Sequence, residues 1–169
     1  NGWSTATGTS AVVYTQNQSV TLYGNLSIYA QWTAQIYVIN YSNNGGTGAA
    51  SINSQNYTYG SAAITSFATV GTMTKTGYTF SGWSTTASGT TALTTLTPTA
   101  NQTLYAIWTA KPFNIAFNGN TSTSGTMLNL SMVSGTAKAL TANAFLKTGF
   151  RFNGFNRIHK RRAHPRNFR

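Results

Sequence analysis

Apolar and polar positions alternate most cleanly in IYVINYS at 36–42, a period of two that predicts a half-buried strand. The same period runs through YTFSGWST at 78–85, with Tyr78 and Phe80 on one face. It returns in TLYAIWT at 103–109, where Leu104, Ala106 and Trp108 fall on one side and Tyr105 and Ile107 on the other. NNGGTG at 43–48 reads as a turn, because glycine takes positive φ without steric penalty. NYTYG at 56–60 reads as a short strand closed by Gly60. Residues 62–73 are apolar without a convincing period and fit either a short helix or an extended connection. The corresponding TAKALTANAFLK at 136–147 has a more helical character. Together these elements predict a mainly β or α+β fold.

The pattern recurs along the chain. LSIYAQWTAQIYVINYS at 26–42 is echoed by LYAIWTAKPFNIAFNG at 104–119, so Trp32 and Trp108 lie 76 residues apart, as do Tyr37 and Phe113. KTGYTFSGWS at 75–84 is echoed by KTGFRFNGFN at 147–156, and NGW at 1–3 carries the same glycine–aromatic phrase. Self-similarity of this kind marks a repeat architecture. It divides the chain into the end of one repeat at 1–33, a complete repeat at 34–110, a truncated third at 111–156 and a tail at 157–169. Opening in the middle of a repeated phrase, the chain reads as a fragment of something longer. In the complete unit, Tyr78, Phe80, Trp83, Tyr105 and Trp108 are the expected structural core; Trp3, Tyr29 and Trp32 take that role in the partial one. A unit of about 75 residues buries only about 60–65% of its unfolded surface, so large aromatic side chains weigh heavily in it. Residues 34–110 are expected to fold alone, while 1–33 and 111–169 fray or pack imperfectly, because each leaves sheet edges that are normally paired.

Composition narrows the chemistry. The 169 residues hold nine Tyr, nine Phe and four Trp, but no Asp, no Glu and no Cys. Without carboxylates there is no paired general acid and base, no glycosidase pair and no acid to orient a catalytic histidine. A side-chain calcium cage, thiol catalysis, thiolate metal sites and disulfides are excluded as well. No Lys or Arg can form an internal salt bridge except with the terminal carboxylate, so cohesion must come from burial and neutral hydrogen bonds. Ser and Thr nucleophiles lack a base, since the only histidines are His159 and His164 in the tail. Two His five apart, with no further ligand, are read as solvated side chains rather than a metal site. No enzyme activity and no cofactor are expected. There is no apolar run long enough to span a membrane.

TGYTFSGW, TLYAIWT and IYVINYSNNGGTG, in these relative positions, resemble the Listeria–Bacteroides repeat, also called the internalin B-repeat. The resemblance covers essentially residues 1–156, with one full motif set and partial sets on either side; Phe155 stands where the family has Trp, and the familiar continuation is then missing. It implies tandem small β-grasp, ubiquitin-like modules in large bacterial surface or secreted proteins, where they act as stalks, spacers and adhesive segments. It implies no catalytic residues, and an extracellular or cell-surface location in the bacterial envelope.

The tail RIHKRRAHPRNFR at 157–169 holds six of the eleven positive charges: Arg157, Lys160, Arg161, Arg162, Arg166 and Arg169. Such a run can neutralise phosphates or adhere to an anionic surface by the same electrostatics. It also interrupts the third repeat in its aromatic strand, which fits an accident of the gene end and a disordered segment. Exposed tyrosines such as Tyr57 and Tyr59 can stack on sugar rings, although cross-strand packing explains them more simply. Asn43-Asn44-Gly45-Gly46 lacks the Lys and Ser/Thr of a phosphate loop and is read as a hairpin turn. N-x-S/T triplets such as Asn17-Gln18-Ser19 arise by chance in so Asn- and Thr-rich a chain. The leading expectation is a non-catalytic spacer or adhesion segment whose partners are neighbouring repeats. The alternative is a binding module for glycan or an anionic polymer, through the tail and exposed tyrosines, with cell-wall or host-surface glycan ranked above nucleic acid.

Overall fold

The computed structural model describes residues 2–8 and 13–155. In chain order the strands are β1 (Gly2–Ser4), β2 (Tyr14–Thr15), β3 (Tyr29–Gln31), β4 (Ile36–Ser42), β5 (Ser54–Thr58), β6 (Tyr78–Ser84), β7 (Gln102–Ala110), β8 (Pro112–Ile115) and β9 (Leu130–Val133). There is no helix among the described residues. The chain divides into two compact units, Asn1–Ala110 and Lys111–Arg169.

Within the first unit, β4 to β7 form a mixed four-stranded sheet of order β5-β4-β7-β6. β4 and β5 make an antiparallel hairpin, β7 runs parallel to β4 with Ile39 opposite Gln102 and Ser42 opposite Tyr105, and β6 closes the sheet antiparallel to β7. A parallel pair needs a long crossover, here the whole stretch from β5 through β6. The period of two read in 36–42 is the pattern of β4: Ile39 is buried, Tyr37 and Tyr41 partly so, and Ile36 and Asn40 face outward. On β7, Leu104 and Ala106 are fully buried and Trp108 packs beside them. Ile39, Ala68, Met73, Trp83, Leu104 and Ala106 form one cluster, edged by Tyr41, Phe67, Phe80, Leu93 and Leu96. Phe80 and Trp83 both point into it although they are three apart, because the ladder slips at a bulge between Phe80 and Gly82, where Gly82 takes φ 130.

The connection at 62–73 is extended, and the helical expectation for 136–147 is corrected in the same sense. The cause is where the backbone hydrogen bonds go. Ile64 exchanges both backbone bonds with Leu96, Thr74 exchanges both with Thr47, and the Thr72 N–H donates to the Ala49 carbonyl at 2.9 Å. The buried Trp83 indole N–H donates to the Ala68 carbonyl at 2.7 Å, taking an acceptor that a helix would use internally. At 136–147, Leu146 bonds back to Ser124, and the Asn143 side chain holds both the N–H and the carbonyl of Phe145. A short stretch without tertiary support for a helix loses to such local partners.

The two flanking sheets repeat parts of this geometry. In the sheet β2-β1-β3, Gly2, Trp3 and Ser4 face Gln31, Ala30 and Tyr29. At the matching sequence positions Gly82, Trp83 and Ser84 face Ile107, Ala106 and Tyr105. The Val13 N–H donates to the Trp3 carbonyl at 2.8 Å, as Leu93 does to Trp83 at 2.8 Å. In the second unit β8 pairs with β9, placing Phe113 opposite Met132 as Tyr37 lies opposite Tyr57. Lys147 sits 4.8 Å over the Phe150 ring, as Lys75 sits 5.0 Å over Tyr78.

One buried polar atom lacks a partner: the Tyr41 hydroxyl. Burial pushes its pKa above 10.0; the nearby Ala68 backbone pulls the other way, without reaching hydrogen-bond geometry. A hydroxyl kept neutral by the fold costs stability once the unfolded chain can ionise it, so this contribution falls as pH rises above 10. Tyr41→Phe is expected to leave stability at neutral pH unchanged or raise it by up to about 1 kcal/mol. Its advantage in urea midpoint over the native chain should widen above pH 10. Trp83→Phe, which strands the Ala68 carbonyl, is expected to cost about 1–3 kcal/mol in the same titration of residues 34–110.

Candidate functional site

No group of three His, Cys, Asp or Glu is assembled among the described residues. A shallow hollow of about 320 Å³ beside β8 and β9 is lined by Pro112, Met132, Val133 and Thr136, with Lys138 donating to the Ser131 carbonyl at 3.0 Å. It holds no base or nucleophile pair. What the structure builds with most care is a corner where the β4–β5 loop clasps β7.

The clasp begins in NNGGTG. Asn44 and Gly45 both take positive φ, 47 and 81, which turns the loop back over β7. This aims the Asn44 side-chain amide at two carbonyls, Ala106 at 2.9 Å and Ala87 at 2.8 Å. The Trp108 indole N–H then donates to the Asn43 carbonyl at 2.8 Å. Gly46 lies against the Trp108 ring: a Cβ there would meet Cζ2 at 2.7 Å and the Thr74 carbonyl at 2.9 Å. At the other end of the parallel pair the Asn101 side chain accepts the Val38 N–H at 2.8 Å. The hairpin-turn reading of 43–46 thus describes only part of what the loop does. Asn44 and Asn101 carry backbone-satisfying bonds that the pattern of apolar positions does not report. A usable signal was present, since Asn44 recurs as Asn120 and Asn101 as Asn25 at the repeat spacing.

Of the aromatic residues expected in the core, Trp83 is buried, Phe80 and Trp108 pack against the cluster half-buried, and Tyr78 and Tyr105 are half-buried at its margin. Phe80 stacks edge-on against both tryptophans, at 5.3 and 5.8 Å between ring centres. In the partial repeat Trp3, Tyr29 and Trp32 are exposed. Residues 1–33 carry counterparts of the end of β6 and of β7 but none of β4 and β5, the strands that cover these positions in the complete unit.

Tyr57 does not face solvent. It is buried, with its hydroxyl donating to the Ser61 carbonyl at 2.8 Å, because it lies opposite Tyr37 on the core side of the hairpin. Tyr59 is exposed and meets the Tyr37 ring edge-on at 6.5 Å. The basic residues Arg157, Lys160, Arg161, Arg162, Arg166 and Arg169 lie outside the described residues, as do His159 and His164.

Gly46→Ala forces a methyl into the Trp108 ring and is expected to cost about 1–3 kcal/mol in denaturant unfolding. Asn44→Ala, which strands two carbonyls, should cost a similar amount, with a red shift in tryptophan emission in both variants.

The clasp, the parallel β4–β7 pair and the Trp83 anchor all belong to the segment around 37–107, and that span matches the family model described as the Listeria-Bacteroides repeat domain. No curated protein and no solved structure matches the chain. By that match, and by the co-spaced aromatic phrases that lie within it, the chain belongs through residues 37–107 to the Listeria-Bacteroides repeat family.

Proposed function

We propose that this chain is a non-catalytic tandem-repeat segment of a bacterial cell-surface or secreted protein, working as a spacer or adhesion module. Its parts are the end of one repeat at 1–33, a complete β-grasp module at 34–110, the opening of a third at 111–156 and a basic tail. The observation that carries the reading is register. Gly2–Ser4 on Tyr29–Gln31 and Pro112–Ile115 on Leu130–Val133 reuse the pairings of β6–β7 and β4–β5 at the matching sequence positions. Chance similarity of composition does not reproduce residue-by-residue pairing. The β-grasp assignment is supported by the hairpin whose first strand lies parallel to the last, although an extended crossover replaces a helix. Compact modules in series hold a distal domain away from a surface, and weak contacts by each one gain through high effective concentration. Neighbouring repeats are then the first partners, and the extracellular face of the envelope the location.

A second reading, binding of glycan or an anionic polymer, is favoured by the exposed Tyr59 beside Tyr37 and by the cationic tail. Binding of the chain, with and without residues 157–169, to heparin and to duplex DNA across a salt series separates the two. The spacer reading expects no binding by either form at physiological salt. Steep salt-dependent binding that disappears with the tail would replace it with electrostatic anchoring.

A further inference from the structure

We propose that the free edges of β3 and β8 are complementary docking surfaces filled by a second copy of this chain. Residues 26–33 of one copy lie parallel to residues 112–120 of another and rebuild the sheet of the complete repeat. The inference rests on the repeat reading, and its starting point is what the two flanking sheets lack. β4 spans seven residues, but the matching stretch 112–118 is strand only over Pro112–Ile115. The part that stays out of the strand, 116–118, stands where Asn40, Tyr41 and Ser42 pair with β7. Likewise β7 spans nine residues while its counterpart is strand only over Tyr29–Gln31. The lost 26–28 match Gln102, Thr103 and Leu104, the residues that pair with β4. What is absent on both sides is one and the same parallel ladder. β3 is an edge of its sheet and β8 an edge of its own.

The side chains agree. Trp32 is 88% exposed where Trp108 is half-buried, and Ile28 is 41% exposed where Leu104 is fully buried. Exposed apolar side chains on an open strand edge are a standing invitation to strand addition. The polar clasp is retained too. Asn120 has φ 45 against 47 for Asn44, which leaves its amide where Asn44 reaches Ala106, the counterpart of Ala30. Gly119 supplies the carbonyl that Asn43 offers Trp108, here for Trp32, and Asn25 stands in the place of Asn101. The expected register puts Leu26, Ser27, Ile28 and Tyr29 opposite Ile115, Ala116, Phe117 and Asn118. One position works against the joint. Ser122 occupies the place of Gly46, its N–H bonding to Gly119 as Gly46 does to Asn43, so the Trp32 ring meets a hydroxymethyl group and seats less closely. Because each copy carries one edge of each kind, the contact is head to tail and propagates. All charged side chains are positive, so the copies repel and added salt strengthens the association, the reverse of polyanion binding.

The test uses the full chain, which contains no cysteine. A variant with Ser27→Cys and Ala116→Cys is expected to give a ladder of disulfide-linked oligomers under mild oxidation. A control with Ser27→Cys and Ser131→Cys, the second on the far strand β9, should give none. Sedimentation should show mass rising with concentration and with salt, and Trp32→Ala should weaken association about tenfold or more. Mass independent of concentration, or a Ser27–Ala116 crosslink confined to monomers, would falsify the proposal. If 34–110 remains cooperatively folded in such a result, the repeat reading survives and only the pairing between copies is lost.

Discussion

Everything in the complete repeat depends on β7 lying between β4 and β6. It supplies parallel bonds to one neighbour and antiparallel bonds to the other, and its Leu104 and Ala106 form the floor of the core. The flanking segments show what happens without it or without its partners. In the second unit the counterpart of β6, FRFNGF at 150–155, is not a strand, and Phe150 and Phe152 are exposed. There is no counterpart of β7 for it to pair with in the described residues. Aromatic content alone therefore does not make this core; a central strand with two neighbours does.

The second constraint is the absence of any carboxylate. Cohesion falls to neutral hydrogen bonds from side chains to backbone, and these are placed where strands meet loops. The Trp83 and Trp108 indoles each donate to a carbonyl of a segment with no regular ladder. Asn44 and Asn101 do the same at opposite ends of the β4–β7 pair. A buried neutral bond of this type contributes about 0.5–1.5 kcal/mol and leaves a larger penalty when one partner is removed. The fold accordingly places amides and indoles where a salt-bridged protein would place ion pairs, and its stability is insensitive to screening.

The regular strands were legible because their signal is local. The alternation in 36–42, 78–84 and 103–109 needs nothing beyond the segment itself. The crossover was not legible, because its conformation is decided by where Ala68, Thr72 and Thr74 find partners far along the chain. Helix propensity in 136–147 misled for the same reason. Tyr57 was misplaced because NYTYG has tyrosines at both odd positions, and only the closing hairpin decides that Tyr57 turns inward while Tyr59 lies beyond the strand. The clasp was missed because asparagine carries no hydrophobic signal; only its recurrence at 120 pointed to it.

The differences among the repeats also carry information. Phe155 stands where Trp83 stands, and with no indole N–H it cannot pin the crossover beneath it as Trp83 pins Ala68. Phe117 stands where Tyr41 stands and drops the buried hydroxyl that has no partner. One change removes a bond that holds the crossover, while the other removes a desolvation penalty. The third repeat is therefore a different balance of the same terms, more dependent on apolar contact and less on directed bonds. Its Phe155 ring meets Phe117 and Phe152 at 5.1 and 5.0 Å, so the aromatic cluster gathers even where the sheet around it does not form. Clustering is cheap and needs only proximity; the ladder needs a strand on each side. That ordering explains why the phrase of glycines and aromatics persists along the chain while strand content rises and falls with the partners available.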